Sequence, residues 1–231
     1  MLDWLRTLLT RRLRARLSQK EEPVWINPAD ADPFGIVGFG GDLGPARLLA
    51  AYSQGVFPMY DEGEPICWWS PDPRAIIELD ALHISRRLQR TMRSGKFTVS
   101  LNQDFSAIMR ACGEREESTW INSEMLQAYQ KLHELGHAHS VEVWHDGQLA
   151  GGVYGVSLGG LFAGESMFYR ERDASKVGLV FLFERLRTCG FQLFDTQIIN
   201  DHTASLGAKE IPRSEYLERL KTIIDKPVFL R

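Results

Sequence analysis

Residues 140–168 read SVEVWHDGQLAGGVYGVSLGGLFAGESMF. Val141 and Val143 alternate with polar neighbours, Asp146-Gly147 marks a turn, residues 149–156 run apolar, Gly159-Gly160 marks a second turn, and residues 161–168 run apolar again. Strand side chains alternate with a period of two, and Asp-Gly and Gly-Gly pairs suit tight hairpins. The stretch predicts a three-strand antiparallel meander. Helical spacing then runs from about 174 to 187 and stops near Gly190, and residues 191–199 return to a strand.

That last strand empties into Phe194-Asp195-Thr196-Gln197-Ile198-Ile199-Asn200-Asp201-His202-Thr203-Ala204-Ser205-Leu206-Gly207-Ala208. Alternation puts Asp195 and Gln197 on one face, so a carboxylate and an amide look into the same space. The plainer alternative is a strand end whose Asp and Asn tie down a turn.

Upstream, Leu2, Leu5, Leu9, Leu13 and Leu17 recur at helical spacing among arginines, which predicts an amphipathic basic helix within residues 1–24. Packing on the body of the protein is its first-ranked role, ahead of a membrane surface or RNA. A short helix starts at Pro45 and ends by Gly55, and Phe57-Pro58 turns the chain. Residues 65–74, rich in proline and tryptophan, are extended, with Trp68 and Trp69 as core anchors. A strand over 75–79 follows. Ser85 reads as an N-cap and Gly95 as a stop, which aligns Arg86, Arg90 and Arg93 on one helical stripe. Residues 96–102 read as a strand, 104–112 as a helix, 114–120 as a charged loop delivering Trp120, and 122–135 as another helix.

The net charge of −3 is unevenly spread. Residues 4–20 hold six bases and residues 81–103 hold five, with no acid in either, leaving 16 bases against all 30 acids elsewhere. Arg86, Arg87, Arg90, Arg93 and Lys96 thus form a candidate polyanion site that can track a phosphate backbone. Three cysteines, far apart and without metal-ligand spacing, argue for a reducing compartment, with cytoplasm the simplest home. No apolar run approaches a membrane span, and the 44% hydrophobic content of 231 residues suffices for a real core.

Several motifs together carry a specific resemblance: Gly40-Gly41-Asp42-Leu43, Trp68-Trp69-Ser70-Pro71-Asp72-Pro73-Arg74, His83-Ile84-Ser85, Thr119-Trp120-Ile121, residues 133–143, Gly164-Glu165-Ser166-Met167-Phe168, and Asp195-Thr196-Gln197 with Asn200 to Ala208. From Trp25 to Leu220 the chain resembles the leucyl/phenylalanyl-tRNA-protein transferases. The resemblance implies an α+β fold, with a small N-terminal α/β region over 25–74 and an N-acetyltransferase-like mixed sheet with packed helices over 75–231. It implies transfer of Leu, Phe or Met from aminoacyl-tRNA to proteins with N-terminal Arg or Lys, marking them for proteolysis, without cofactor or metal. By the same resemblance, Trp120, Tyr129, Val153, Gly164, Glu165, Ser166, Leu182 and Leu186 shape the aminoacyl-adenosine pocket, with Asn200 also a substrate contact. Met59 stands where the family commonly has a tryptophan facing the terminal adenine. A monomer is expected.

Other readings compete. Three strands, a helix and a strand is also the order of coenzyme A acetyltransferases, but Arg172-Asp173-Ala174-Ser175-Lys176-Val177-Gly178-Leu179 lacks the paired glycines that cradle a pyrophosphate. His133-Glu134-Leu135-Gly136-His137 is a literal zinc-peptidase H-E-x-x-H. Gly136 reads as the helix terminus, so His137 leaves the face that His133 occupies. A non-catalytic tRNA-binding module is the third alternative.

An aminoacyl ester is already activated, so transfer to an amine needs positioning, oxyanion stabilisation and a route for one proton. Asp195 is expected to orient or accept through hydrogen bonds, and Gln197 to contact the amine or the carbonyl. Glutamine is too weak a base to take the proton. Glu165 is a candidate for holding the ribose or the incoming amine.

Overall fold

The computed structural model describes residues 25–114 and 120–231. The expected N-terminal basic helix lies outside the described residues, as does most of the charged loop before Trp120.

In chain order the elements are β1 (Ile36–Phe39), α1 (Pro45–Ser53), β2 (Phe57–Pro58), β3 (Cys67–Trp69), β4 (Arg74–Ile77), α2 (Arg86–Arg93), β5 (Thr98–Leu101), α3 (Phe105–Gly113), α4 (Ser123–Glu134), β6 (Ala138–His145), β7 (Gln148–Leu158), β8 (Leu161–Tyr169), α5 (Ala174–Cys189), β9 (Leu193–Gln197), α6 (Asp201–Ser205), β10 (Lys209–Ile211) and α7 (Arg213–Ile223). A three-stranded sheet has the order β1-β3-β2, and a seven-stranded sheet the order β10-β4-β9-β8-β7-β6-β5. Among the described residues, only β8 and β9 pair in parallel. This is the expected α+β architecture, a mixed sheet with packed helices.

The meander forms as its alternation dictates, with Asp146 and Gly147 both at positive φ in the β6–β7 turn. Helix caps also follow the sequence. Ser85, Asp104 and Asn122 each accept a backbone N–H from the first turn of α2, α3 and α4. Each such cap satisfies a donor that the helix cannot pair internally. The strand expected over 191–199 is shorter, because it breaks off at Gln197.

Adjacent strand residues face opposite ways, and β7 shows what each face buries. Val153 packs in a cluster with Val141 and with Leu179, Leu182, Phe183 and Leu186 of α5. Tyr154 and Val156 pack in a second cluster with Phe105 and Ile108 of α3 and Met125 and Tyr129 of α4. That second cluster continues into Leu48 and Tyr52 of α1 and into Trp68 and Trp69, which are buried as anchors. The small sheet and the large one therefore share apolar packing, and α1 is held against the sheet face that carries Glu165.

Candidate active site

Two bulges re-aim the polar residues at this face. Between β7 and β8, Tyr154 pairs with Ser166 and the next residue, Gly155, pairs with Gly164, which leaves Glu165 as an extra residue. Glycine is required opposite, since a Cβ at position 155 would lie 2.2 Å from the Ala163 carbonyl oxygen. Between β4 and β9, Ala75 pairs with Gln197 and Ile76 with Asp195, so Thr196 is the extra residue. Gln197 takes a φ of +66°, a left-handed conformation unfavourable for a side chain of this kind. Bulges twist a strand and redirect side chains, and they recur beside functional sites.

Asp195 holds that strained residue, its Oδ1 accepting the Gln197 backbone N–H at 2.8 Å. The same carboxylate accepts Arg74 Nε at 2.9 Å and Arg74 Nη2 at 2.6 Å, and the Tyr216 hydroxyl donates to Oδ2 at 2.8 Å. Arg74 also donates to the Gly55 carbonyl at 2.9 Å, and its guanidinium carbon lies 4.9 Å from the Phe57 ring centroid and 4.4 Å from that of Tyr216. Two buried charges are tolerable only when paired and hydrogen-bonded, and this bidentate pair meets that condition.

Glu165 stands next to it. Its Oε1 accepts the Tyr52 hydroxyl at 2.7 Å and Gln197 Nε2 at 2.9 Å, and its Oε2 lies 3.5 Å from the Tyr129 hydroxyl. Tyr52 and Tyr129 are 2.5 Å apart at their hydroxyls. Burial of the carboxylate is the largest influence on Glu165 and pushes its pKa up to about 8. The Tyr52 bond works against this shift, the Asp195 charge adds to it, and the Gln197 bond and the Arg74 charge oppose it. Tyr52 and Tyr129 are both raised well above 10, first by burial and then by the Glu165 charge.

Asp195, Gln197, Glu165 and Tyr129 thus meet in one network, with Gly164 and Ser166 flanking Glu165 in β8. Asn200 caps α6 instead, accepting the Thr203 N–H at 2.9 Å, so this part of the stretch does tie down a turn. Val153, Leu182 and Leu186 are sealed between α5 and the sheet, each at most 3% exposed, and form no open wall. Met59 and Trp120 are half-buried at the edge of the cluster shared by the two sheets.

Among the basic residues, Arg87 is engaged by Asp173 at 2.8 Å and Lys96 by Glu171 at 2.7 Å. Arg86, Arg90 and Arg93 are exposed on α2 without an acidic partner among the described residues. Asp173 also places a carboxylate at the start of α5. The H-E-x-x-H motif is split as its glycine requires, for α4 stops at Glu134 and Gly136 has a φ of +80°. His133 stacks on Phe105 at 4.5 Å while His137 turns toward the Ser157 carbonyl. No group of three or more His, Cys, Asp or Glu among the described residues could hold a metal ion.

Sequence reasoning missed Arg74, Tyr52 and Tyr216 as site residues. Arg74 carried a signal, since an arginine opening the apolar run Ala75-Ile76-Ile77 needs a buried anion. The two tyrosines carried none, because a hydroxyl on an apolar helix face has no local pattern.

Comparison with known proteins shows the family. The family model described as "Leucyl/phenylalanyl-tRNA protein transferase" matches residues 76–221, and that of its N-terminal domain matches residues 41–72. A leucyl/phenylalanyl-tRNA–protein transferase of Anaeromyxobacter dehalogenans (strain 2CP-C) is 50% identical over 210 residues, covering 89% of this chain and 90% of the relative. One from Citrobacter koseri is 53% identical over 194 residues, covering 83% and 82%. Among solved structures, a GCN5-related N-acetyltransferase from Kribbella flavida is 11% identical with a TM-score of 0.38, covering 72% of this chain and 60% of that one. The chain belongs to the leucyl/phenylalanyl-tRNA protein transferase family and is an aminoacyltransferase.

Proposed function

We propose that this enzyme carries leucine, phenylalanine or methionine from the 3′ end of aminoacyl-tRNA to the α-amine of proteins beginning with arginine or lysine, and so marks them for N-degron-dependent proteolysis. The observation that carries this reading is the Glu165–Gln197 pair, an acid and an amide 2.9 Å apart on two bulges and braced by buried groups. Such a site suits an activated ester, which needs an amine positioned and a proton routed more than it needs a covalent nucleophile.

In this reading Gln197 aligns amine and carbonyl, Asp195 fixes Gln197, and Gly164, Ser166 and Trp120 border the aminoacyl end. Met59 borders the adenine. Arg86, Arg90 and Arg93 track tRNA phosphates, which position the substrate without reading its sequence. The enzyme acts in the cytoplasm as a monomer, and no helix among the described residues is long and apolar enough to cross a membrane.

The test is incubation with radiolabelled Leu-tRNA and two peptides, one beginning with arginine and one with aspartate. Label should enter the first alone. Equal labelling of both, or of neither, would reject the proposal.

A further inference from the structure

We propose that the Glu165 carboxylate, and not Asp195, takes the proton of the attacking amine and returns it to the ribose oxygen as the ester C–O bond breaks. This rests on the transferase reading above and names the acid–base group within it.

Hydrogen-bond capacity comes first. Each carboxylate oxygen has about two lone pairs to offer. Asp195 Oδ1 accepts from Arg74 Nε and from the Gln197 N–H, and Oδ2 accepts from Arg74 Nη2 and the Tyr216 hydroxyl. All four sites are used, and the residue is 1% exposed. A proton arriving there would have to displace a guanidinium or a hydroxyl. Glu165 is half-buried, and among the described residues its Oε2 has a single long interaction, with Tyr129.

The tyrosines supply a second argument. Tyr52, Tyr129 and Glu165 form a triangle in which each meets the other two, yet the two hydroxyls hold only two protons. With Glu165 ionised, one side of the triangle has no hydrogen. A proton on Oε2 completes it by donating to the Tyr129 oxygen, while Tyr129 donates to Tyr52 and Tyr52 to Oε1. The cluster is one proton short of closure, and the open position lies on the less engaged oxygen.

The groups facing Glu165 fit this assignment. They are Tyr52 from α1, Tyr129 from α4, Asp195 and Gln197 from β9 and Arg74 from β4, with Tyr60 and Tyr216 one step farther out. Their net effect with burial puts the carboxyl at about 8, close to the value of about 7.7 to 8.0 for a protein α-amine. A carboxyl that titrates near 8 can both take up and release a proton close to neutral pH, as general acid–base catalysis favours.

The step balances. The neutral amine nitrogen attacks the ester carbonyl carbon, forming the C–N bond and an oxyanion. Glu165 accepts an N–H proton. The oxyanion collapses, the C–O bond to the ribose breaks, and Glu165 returns the proton to the leaving oxygen. The products are an amide and a ribose hydroxyl, with Glu165 again ionised.

The test is the pH dependence of kcat/KM for transfer from Leu-tRNA to an arginine-initiated peptide, which follows ionisations of the free enzyme and free peptide. Wild type needs both the amine and Glu165 deprotonated, so the logarithm of kcat/KM should climb with a slope approaching two at low pH. Glu165→Gln retains an oxygen for Tyr52, and its slope should be one on a much lower plateau. Equal slopes in the two proteins would overturn the assignment. If Glu165→Gln is too slow to follow, formate should restore transfer in Glu165→Ala, and failure of that rescue in folded protein that still binds Leu-tRNA would also overturn it. Wild type that labels no peptide at any pH would instead remove the transferase reading and this inference with it.

Discussion

Arg74 and Asp195, 121 residues apart in the chain, form a bidentate ion pair in which each side chain is 1% exposed. The pair clamps β4 to β9 at the bulge that gives Gln197 its left-handed backbone.

Removing one partner of such a pair strands a charge, which costs about 3 to 5 kcal/mol. Arg74→Met should lose stability on that scale in urea unfolding and lose transfer with it. Arg74→Met combined with Asp195→Leu removes both charges and should recover much of the stability but none of the transfer. Arg74→Met within about 1 kcal/mol of wild type, the scale of an exposed pair, would mean that the pair does not brace the site.

For the RNA site, Arg86, Arg90 and Arg93 are the bases on α2 without an acidic partner among the described residues. Replacing all three by alanine should flatten the dependence of log affinity for tRNA on log salt by about 0.9 for each phosphate no longer neutralised. Arg87→Ala should cost stability at the start of α5, where it meets Asp173, and change the slope less. Filter binding at several salt concentrations separates them, and an unchanged slope in the triple variant would move the RNA site off α2.

Stability should depend on pH through two groups of opposite sign. Burial lowers His139 to about 4, so below about 6.5 the unfolded chain takes up a proton that the native state refuses. Stability is therefore lost as pH falls from that point toward 4. Glu165 keeps a proton in the native state up to about 8 that the unfolded chain releases near 4.5, so its contribution declines as pH rises through that window. Glu165→Gln should remove the decline while leaving the acid limb. Denaturant midpoints measured from about pH 3.5 to 8.5, which spans both windows, test this, and a variant that parallels wild type throughout would deny the raised value.

The legible parts of this molecule are those set by local chemistry. Asp146-Gly147, Ser85 and Gly136 each fix a turn, cap or helix end through their own backbone needs, and each does so here; Asp104 and Asn122, which the helical spacing places inside their helices, cap them from just outside. Asp195 and Gln197 do meet in one network, but not by alternation: the bulge at Thr196 breaks the period of two between them, and the Gln197 N–H donated to Asp195 Oδ1 joins them. What pairing alone decides was hidden. Strand alternation cannot show that Glu165 and Thr196 are extra residues, because a bulge exists only relative to the partner strand. Tyr52 and Arg74 reach the site from outside the meander, and no spacing within one segment records such an approach. The sealed packing of Val153, Leu182 and Leu186 is of the same kind, since an apolar residue reads alike in a pocket wall and in a core.

Asp195 and Gln197 should act as a single unit in transfer, because the carboxylate of one fixes the backbone of the other. Asp195→Asn replaces one acceptor oxygen by an amide donor. Arg74 and Tyr216 on one side and the Gln197 N–H on the other are all donors, so either orientation sets donor against donor. The bulge should relax and carry Gln197 Nε2 away from Glu165. A displacement of about 1 Å at a reacting centre can cost about a hundredfold in rate, and a loss of that order is expected in single-turnover transfer with tRNA binding retained. Gln197→Gly separates backbone from side chain. Glycine accepts a φ of +66° without the penalty of a Cβ, so this variant should be at least as stable as wild type. It should still lose transfer to a similar extent, because the amide beside Glu165 is gone. The double variant should then be little slower than either single one, since the second change removes an alignment already absent. Multiplicative losses would show that Asp195 and Gln197 serve separate steps, and near-normal transfer in Gln197→Gly would leave the bulge as a feature of folding alone.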